Sequence, residues 1–86
     1  MQKQISDYLK SKKVNEVLEL HEFPNRYGNN VSTFSVRYNV QDKYNYDKVE
    51  IKIEYSTSRL FISNKGYFCF EKLEDIYSII DKQTKI

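Results

Sequence analysis

The sequence predicts an α+β domain, an antiparallel sheet of about four to five strands with an N-terminal and a C-terminal helix packed on it. Three observations lead there. Lys48 to Tyr55 alternates without a break, with Val49, Ile51, Ile53 and Tyr55 on one side and Lys48, Glu50, Lys52 and Glu54 on the other. Successive strand residues point to opposite faces, so this is a strand with one buried and one wet face. A second run alternates Phe34, Val36, Tyr38 and Val40 with Ser35, Arg37 and Asn39. Apolar spacing of a helical kind is clearest at the two ends of the chain, and strands flanked by helices place the helices on one face of the sheet.

In chain order, residues 2 to about 13 read as a helix. Ile5, Tyr8, Leu9 and Lys12 fall at i, i+3, i+4 and i+7, and Asp7 precedes Lys10, Lys12 and Lys13 in the order that complements the helix dipole. Residues 16 to about 23 read as a strand, with Leu18 and Leu20 alternating with Glu19 and His21. Val14, Val17 and Leu18 also fit helical spacing, so extension of the first helix to Leu20 is the alternative. Pro24 ends either one. Pro24 to Asn30 is a loop, rich in residues that accept turn conformations. The second strand covers about 32 to 40, and Gln41 to Asp47 is the polar loop of a long hairpin into the strand at 48–55.

Two short strands follow, Arg59 to Ser63 and Tyr67 to Glu71, around Asn64-Lys65-Gly66. A three-residue loop with Gly66 in the left-handed place pairs Ser63 with Tyr67, Ile62 with Phe68, Phe61 with Cys69 and Leu60 with Phe70. That register puts Leu60, Ile62, Phe68 and Phe70 on one face; a two-residue loop matches them less well. The last helix spans about 71 to 83, with Leu73, Ile76, Tyr77 and Ile80 on one stripe and Glu71, Glu74 and Asp75 at its start. The expected core is Val49, Ile51, Ile53, Leu60, Ile62, Phe68, Phe70, Leu73, Ile76, Tyr77 and Ile80.

Composition narrows the function more by exclusion than by assignment. Eighty-six residues make one small domain, with 14 basic and 12 acidic residues and a net charge of +2. That balance is no strong footprint for nucleic acid and is far from the acidity of a DNA mimic. One cysteine, Cys69, forms no internal disulfide; flanked by aromatic residues, it is expected as a small buried hydrophobe in a reducing cytoplasm. No signal-peptide pattern opens the chain, and no apolar run approaches a membrane span. The chain has no alanine and is rich in Lys, Asn, Ile and Tyr, a bias that points to a low-GC bacterium or its phage.

His21 is the only histidine, and it stands between acidic residues on a strand. No second His or Cys completes a transition-metal site, and no serine has a histidine in any recognised motif. Asp42, Asn45 and Asp47 lack the calcium-loop pattern, and Gly28 and Gly66 are too few for a phosphate-cradling loop. The expectation is a non-enzymatic chain without cofactor or metal.

The element order resembles, in outline, the double-stranded-RNA-binding domain, whose last helix opens on a basic patch. Glu71-Lys72-Leu73-Glu74-Asp75 stands there instead and would repel phosphate, which sets that family aside. In genre the chain is similar to the small α+β inhibitors that phages encode against host machinery, anti-CRISPR proteins among them.

Tyr and Arg are enriched at protein interfaces, and this chain has eight tyrosines. The leading expectation is therefore a protein-binding domain, an inhibitor or adaptor of another protein or of a protein–nucleic-acid complex. Its contact residues are expected in the two long loops and beside them: Arg26, Tyr27, Arg37, Lys43, Tyr44, Tyr46 and Lys48. One alternative is a nucleic-acid-binding module using loop tyrosines and the Lys10, Lys12, Lys13 cluster, consistent with a pI near 8.6. Another is a self-associating subunit that pairs through an open sheet edge, so both monomer and homodimer stay open.

Overall fold

The computed structural model describes residues 2–14, 16–21 and 30–86, with Leu20 and His21 described by their backbone alone. The elements are α1 (Gln2–Lys10), β1 (Glu16–His21), β2 (Val31–Tyr38), β3 (Asp47–Glu54), β4 (Arg59–Ile62), β5 (Gly66–Cys69) and α2 (Leu73–Gln83). The five strands form one antiparallel sheet in the order β1-β2-β3-β4-β5. Each strand thus lies beside its sequence neighbour.

Pairing aligns the apolar residues of adjacent strands. Val36 lies opposite Val49, Phe34 opposite Ile51, Ile51 opposite Ile62, and Ile53 opposite Leu60. These residues share one face and form a single core with Ile5 and Leu9 of α1 and Ile76 and Ile80 of α2. Helices this short are marginal alone, so their apolar stripes must dock on a partner. Every core residue expected from the sequence belongs to this cluster; Phe68, Leu73 and Tyr77 are packed at its margin, only partly buried. The other face carries the charged residues of β3, but it is not uniformly wet. Thr33 and Ser35 of β2, an interior strand of the sheet, are buried there; their small side chains stand between longer ones, with Lys52 across from Thr33 and Leu18 and Glu50 across from Ser35.

The two helices are also tied to each other. The Tyr8 hydroxyl donates to the Asp81 carboxylate at 2.5 Å, and Lys12 Nζ reaches the same carboxylate at 2.6 Å. The rings of Tyr8 and Tyr77 stack with centroids 4.0 Å apart. The hydrogen bonds from Lys12 and Tyr8 hold the Asp81 carboxyl below the usual carboxylate range. At the other end of α1, Tyr55 donates to Ser32 Oγ at 2.9 Å, and Ser32 donates to Gln2 Oε1 at 3.2 Å.

Several expectations need correction. The first helix ends at Lys10 rather than 13, because Ser11 and Lys12 tighten into a turn whose N–H groups bond to Tyr8 and Leu9 carbonyls at 3.2 Å. Residues 16–21 are a strand, so the helical extension to Leu20 is not adopted; the ladder with β2 satisfies its backbone. Residues 22 and 23 and the loop at 24–29 lie outside the described residues.

The β4–β5 hairpin is shifted: Ile62 pairs with Gly66, Phe61 with Tyr67, Leu60 with Phe68 and Arg59 with Cys69. Its loop is Ser63-Asn64-Lys65, closed by Lys65 N–H to the Ile62 carbonyl at 3.0 Å. Asn64 takes a left-handed φ of 66° and Gly66 one of 99°. Asn tolerates that conformation, so the turn forms one residue earlier than Gly66 alone suggests. Meanwhile Ser63 stays bonded to β3 through Glu50. Cys69 is exposed, not buried, because it lies on the face of β5 that the helices leave open. The second helix starts at Leu73; Glu71 and Lys72 precede it, and their N–H groups bond to the Asp75 carboxylate at 3.0 and 3.2 Å.

Ile53→Ala is expected to cost about 2–5 kcal/mol in chemical denaturation, and Lys52→Ala less than about 0.5 kcal/mol. Equal large losses at the two positions would show that both faces of β3 are covered.

Candidate functional site

The hairpin joining β2 to β3 projects beyond the sheet, and its tip is built around Asp42. The Asp42 carboxylate accepts from the Tyr44 N–H at 2.8 Å, the Asn45 N–H at 3.0 Å and the Asn45 side-chain amide at 2.7 Å. These bonds favour the ionised form and hold the Asp42 carboxyl below its ordinary range, the Asn45 amide contributing most. The Gln41 N–H donates to the Asn45 carbonyl at 2.8 Å, and the Asn39 amide donates to Asp47 at 3.1 Å. Asn39 itself takes a left-handed φ of 51° as the chain leaves β2. The tip is therefore a cross-linked turn rather than a slack connection.

On this frame the sequence-predicted residues converge. The Arg37 guanidinium lies over the Tyr46 ring at 4.8 Å and is 3.5 Å from Glu16. Lys43 Nζ lies 5.6 Å from the Tyr44 ring centre. Tyr44 is 82% exposed. Arg37, Val40, Asp42, Lys43 and Tyr46 line a shallow cleft of about 350 Å³ together with Glu16. Lys48 follows at the start of β3, directly across from Arg37, with its Nζ 3.2 Å from Glu50. The hairpin thus gathers Arg37, Lys43, Tyr44, Tyr46 and Lys48 at one end of the sheet. Arg26 and Tyr27 lie outside the described residues.

Two further features have no counterpart among the sequence-predicted site residues. On the open face, Arg59 lies over the Tyr67 ring at 4.3 Å, and Tyr67 meets Phe61 at 5.0 Å; Tyr67 is 55% exposed. The alternation that sends Leu60, Ile62 and Phe68 inward was the signal for this patch. The second is a lysine-lined cleft near the end of α2, for which the sequence carries no local signal. Conversely, the Lys10, Lys12, Lys13 cluster is partly occupied: Lys12 bonds to Asp81, and Lys10 lies 3.9 Å from Glu19. Among the described residues no group of three His, Cys, Asp or Glu side chains is placed to hold a metal, and no helix is long and apolar enough to cross a membrane.

No protein family, curated protein or solved structure matches the chain at a significant level.

The Asp42 turn has a pH signature. Its depressed carboxyl contributes order that is complete above the unfolded value of about 3.9 and is lost as pH falls through the lower folded value. The amide resonances of Tyr44 and Asn45 are expected to titrate together below about pH 4. Asp42→Ala should abolish that titration and speed exchange of both amides; unchanged exchange would show that Asp42 does not hold the turn.

Proposed function

We propose that the chain is a small protein-binding domain that acts as an inhibitor or adaptor of a larger macromolecular partner, with the β2–β3 tip as its contact. The carrying observation is Tyr44, 82% exposed on a turn pinned by three hydrogen bonds to Asp42. A large aromatic surface held out of the core contributes nothing to the core's burial. Presented on a pre-ordered turn, it loses little further entropy on docking. Tyr46, stacked with Arg37, widens the same surface. Tyrosine and arginine are the side chains that most often dominate binding energy at interfaces. The rival reading through Lys10, Lys12 and Lys13 has weaker support, since Lys12 is bonded to Asp81 and Lys10 faces Glu19. The exposed single Cys69 fits a reducing cytoplasm, and the kinship in genre with phage inhibitors of host machinery rests on size and architecture alone.

Affinity capture from host lysate followed by mass spectrometry should retain a specific partner with the unaltered chain. Tyr44→Ala with Tyr46→Ala should weaken that capture by about thirtyfold or more, the loss of one hot spot of about 2 kcal/mol. Circular dichroism should show the fold intact. A partner held equally well by the double variant, or no partner at all, would contradict the proposal.

A further inference from the structure

Three lysines without an ion-pair partner among the described residues line one cleft of about 360 Å³. Lys65 comes from the β4–β5 turn, Lys82 from the last turn of α2, and Lys85 from the segment after it. Lys48 lines the same cleft. Asp47 is its one acidic residue, and the Asn39 amide already bonds to that carboxylate. Glu50, 3.2 Å from Lys48, adds a second negative charge at its edge, so four lysines against two carboxylates leave a local charge of +2, as large as the net charge of the whole chain. Like charges gathered this way repel one another and leave a field that attracts anions.

The helix dipole accounts for only part of this arrangement. Lys82 is favourably placed at the C-terminal end of α2. Lys65 belongs to a different element, and Lys85 lies beyond the helix. The Ile80 carbonyl nearby is already bonded by Thr84, through its N–H at 3.1 Å and its hydroxyl at 2.6 Å. Between the lysines stand neutral donors. Ser63 Oγ accepts from the Glu50 N–H at 3.0 Å, so its own proton remains to donate, and Asn64 and Gln83 line the cleft as well.

We infer that this cleft binds the sugar–phosphate backbone of a nucleic-acid strand. Lysine is a compact point charge that suits phosphate, whereas carboxylates are best held by the planar fork of arginine, which the cleft lacks. Its rim of hydroxyl and amide donors suits phosphate oxygens and offers little to an apolar peptide. Contact of this kind is independent of base sequence. The inference does not depend on the partner of the tyrosine tip, since none of its unpaired lysines lies there.

Fluorescence anisotropy of the full chain with a labelled oligothymidylate and with a short duplex tests it. Three neutralised phosphates give a log–log salt slope of about −2 on the single strand, a loss of about twentyfold between about 50 and 200 mM salt. Lys65→Gln/Lys82→Gln/Lys85→Gln should flatten that slope and weaken binding at low salt by at least about tenfold, and Lys65→Gln alone should weaken it measurably. Lys3→Gln/Lys10→Gln/Lys13→Gln removes the same charge elsewhere and should leave the slope in place, as should Tyr44→Ala with Tyr46→Ala. Absence of binding at about 25 mM salt, an equal loss in the control lysine variant, or displacement of the oligonucleotide by polyglutamate at matched charge would each overturn the inference.

Discussion

Docking of the two terminal helices on one face of the sheet is the constraint from which the other features follow. Ile51, Ile53, Leu60 and Ile62 pair across β3 and β4 and are fully buried, together with Ile76 and Ile80 of α2 and Ile5 and Leu9 of α1. Full burial of one such aliphatic side chain contributes about 1.5–3 kcal/mol, so this face carries most of what holds a domain of this size together. Among the described residues, neither the sheet nor either helix has another apolar surface of that extent to use. The bonds of Tyr8 and Lys12 to Asp81 then fix how the two helices lie against each other.

One-sided packing also decides what is left over for recognition. The open face keeps Phe61, Tyr67 and Cys69 outside, and the ends of the strands keep their turns outside. Because consecutive strands alternate direction, the β2–β3 hairpin and the β4–β5 turn emerge at the same end of the sheet, where the C-terminal end of α2 also arrives. The exposed tyrosines of the tip and the unpaired lysines of the cleft are therefore neighbours by topology. Glu71, Glu74 and Asp75 lie at the opposite end of α2.

Legibility in the sequence followed the physics of each element. The strand at β3 and the helix at α2 were readable because hydrophobic period and burial coincide there. The hairpin register was not, because moving each partner by one residue keeps Leu60 and Phe68 on the core face; a period of 2 does not distinguish the two pairings. The left-handed turn at Asn64 made the choice. The aromatic neighbours of Cys69 suggest burial, although its parity with Phe61 and Tyr67 places it on the open face. Tyr44, Tyr46 and Lys43 were visible as loop aromatics beside a cation, but the role of Asp42 depends on three short-range bonds that spacing alone does not specify. Lys48, Lys65, Lys82 and Lys85 come from separate elements, and only the folded topology makes them a cluster.

Native-state hydrogen exchange tests the dependence of sheet and helices on one another most directly. In increasing urea, the amide of Ile51 in β3 and that of Ile80 in α2 should merge into a single opening reaction whose free energy equals that of global unfolding. Exchange of Ile80 through a separate opening of much lower energy, with Ile51 still protected, would show that the sheet stands without α2 and would contradict the account.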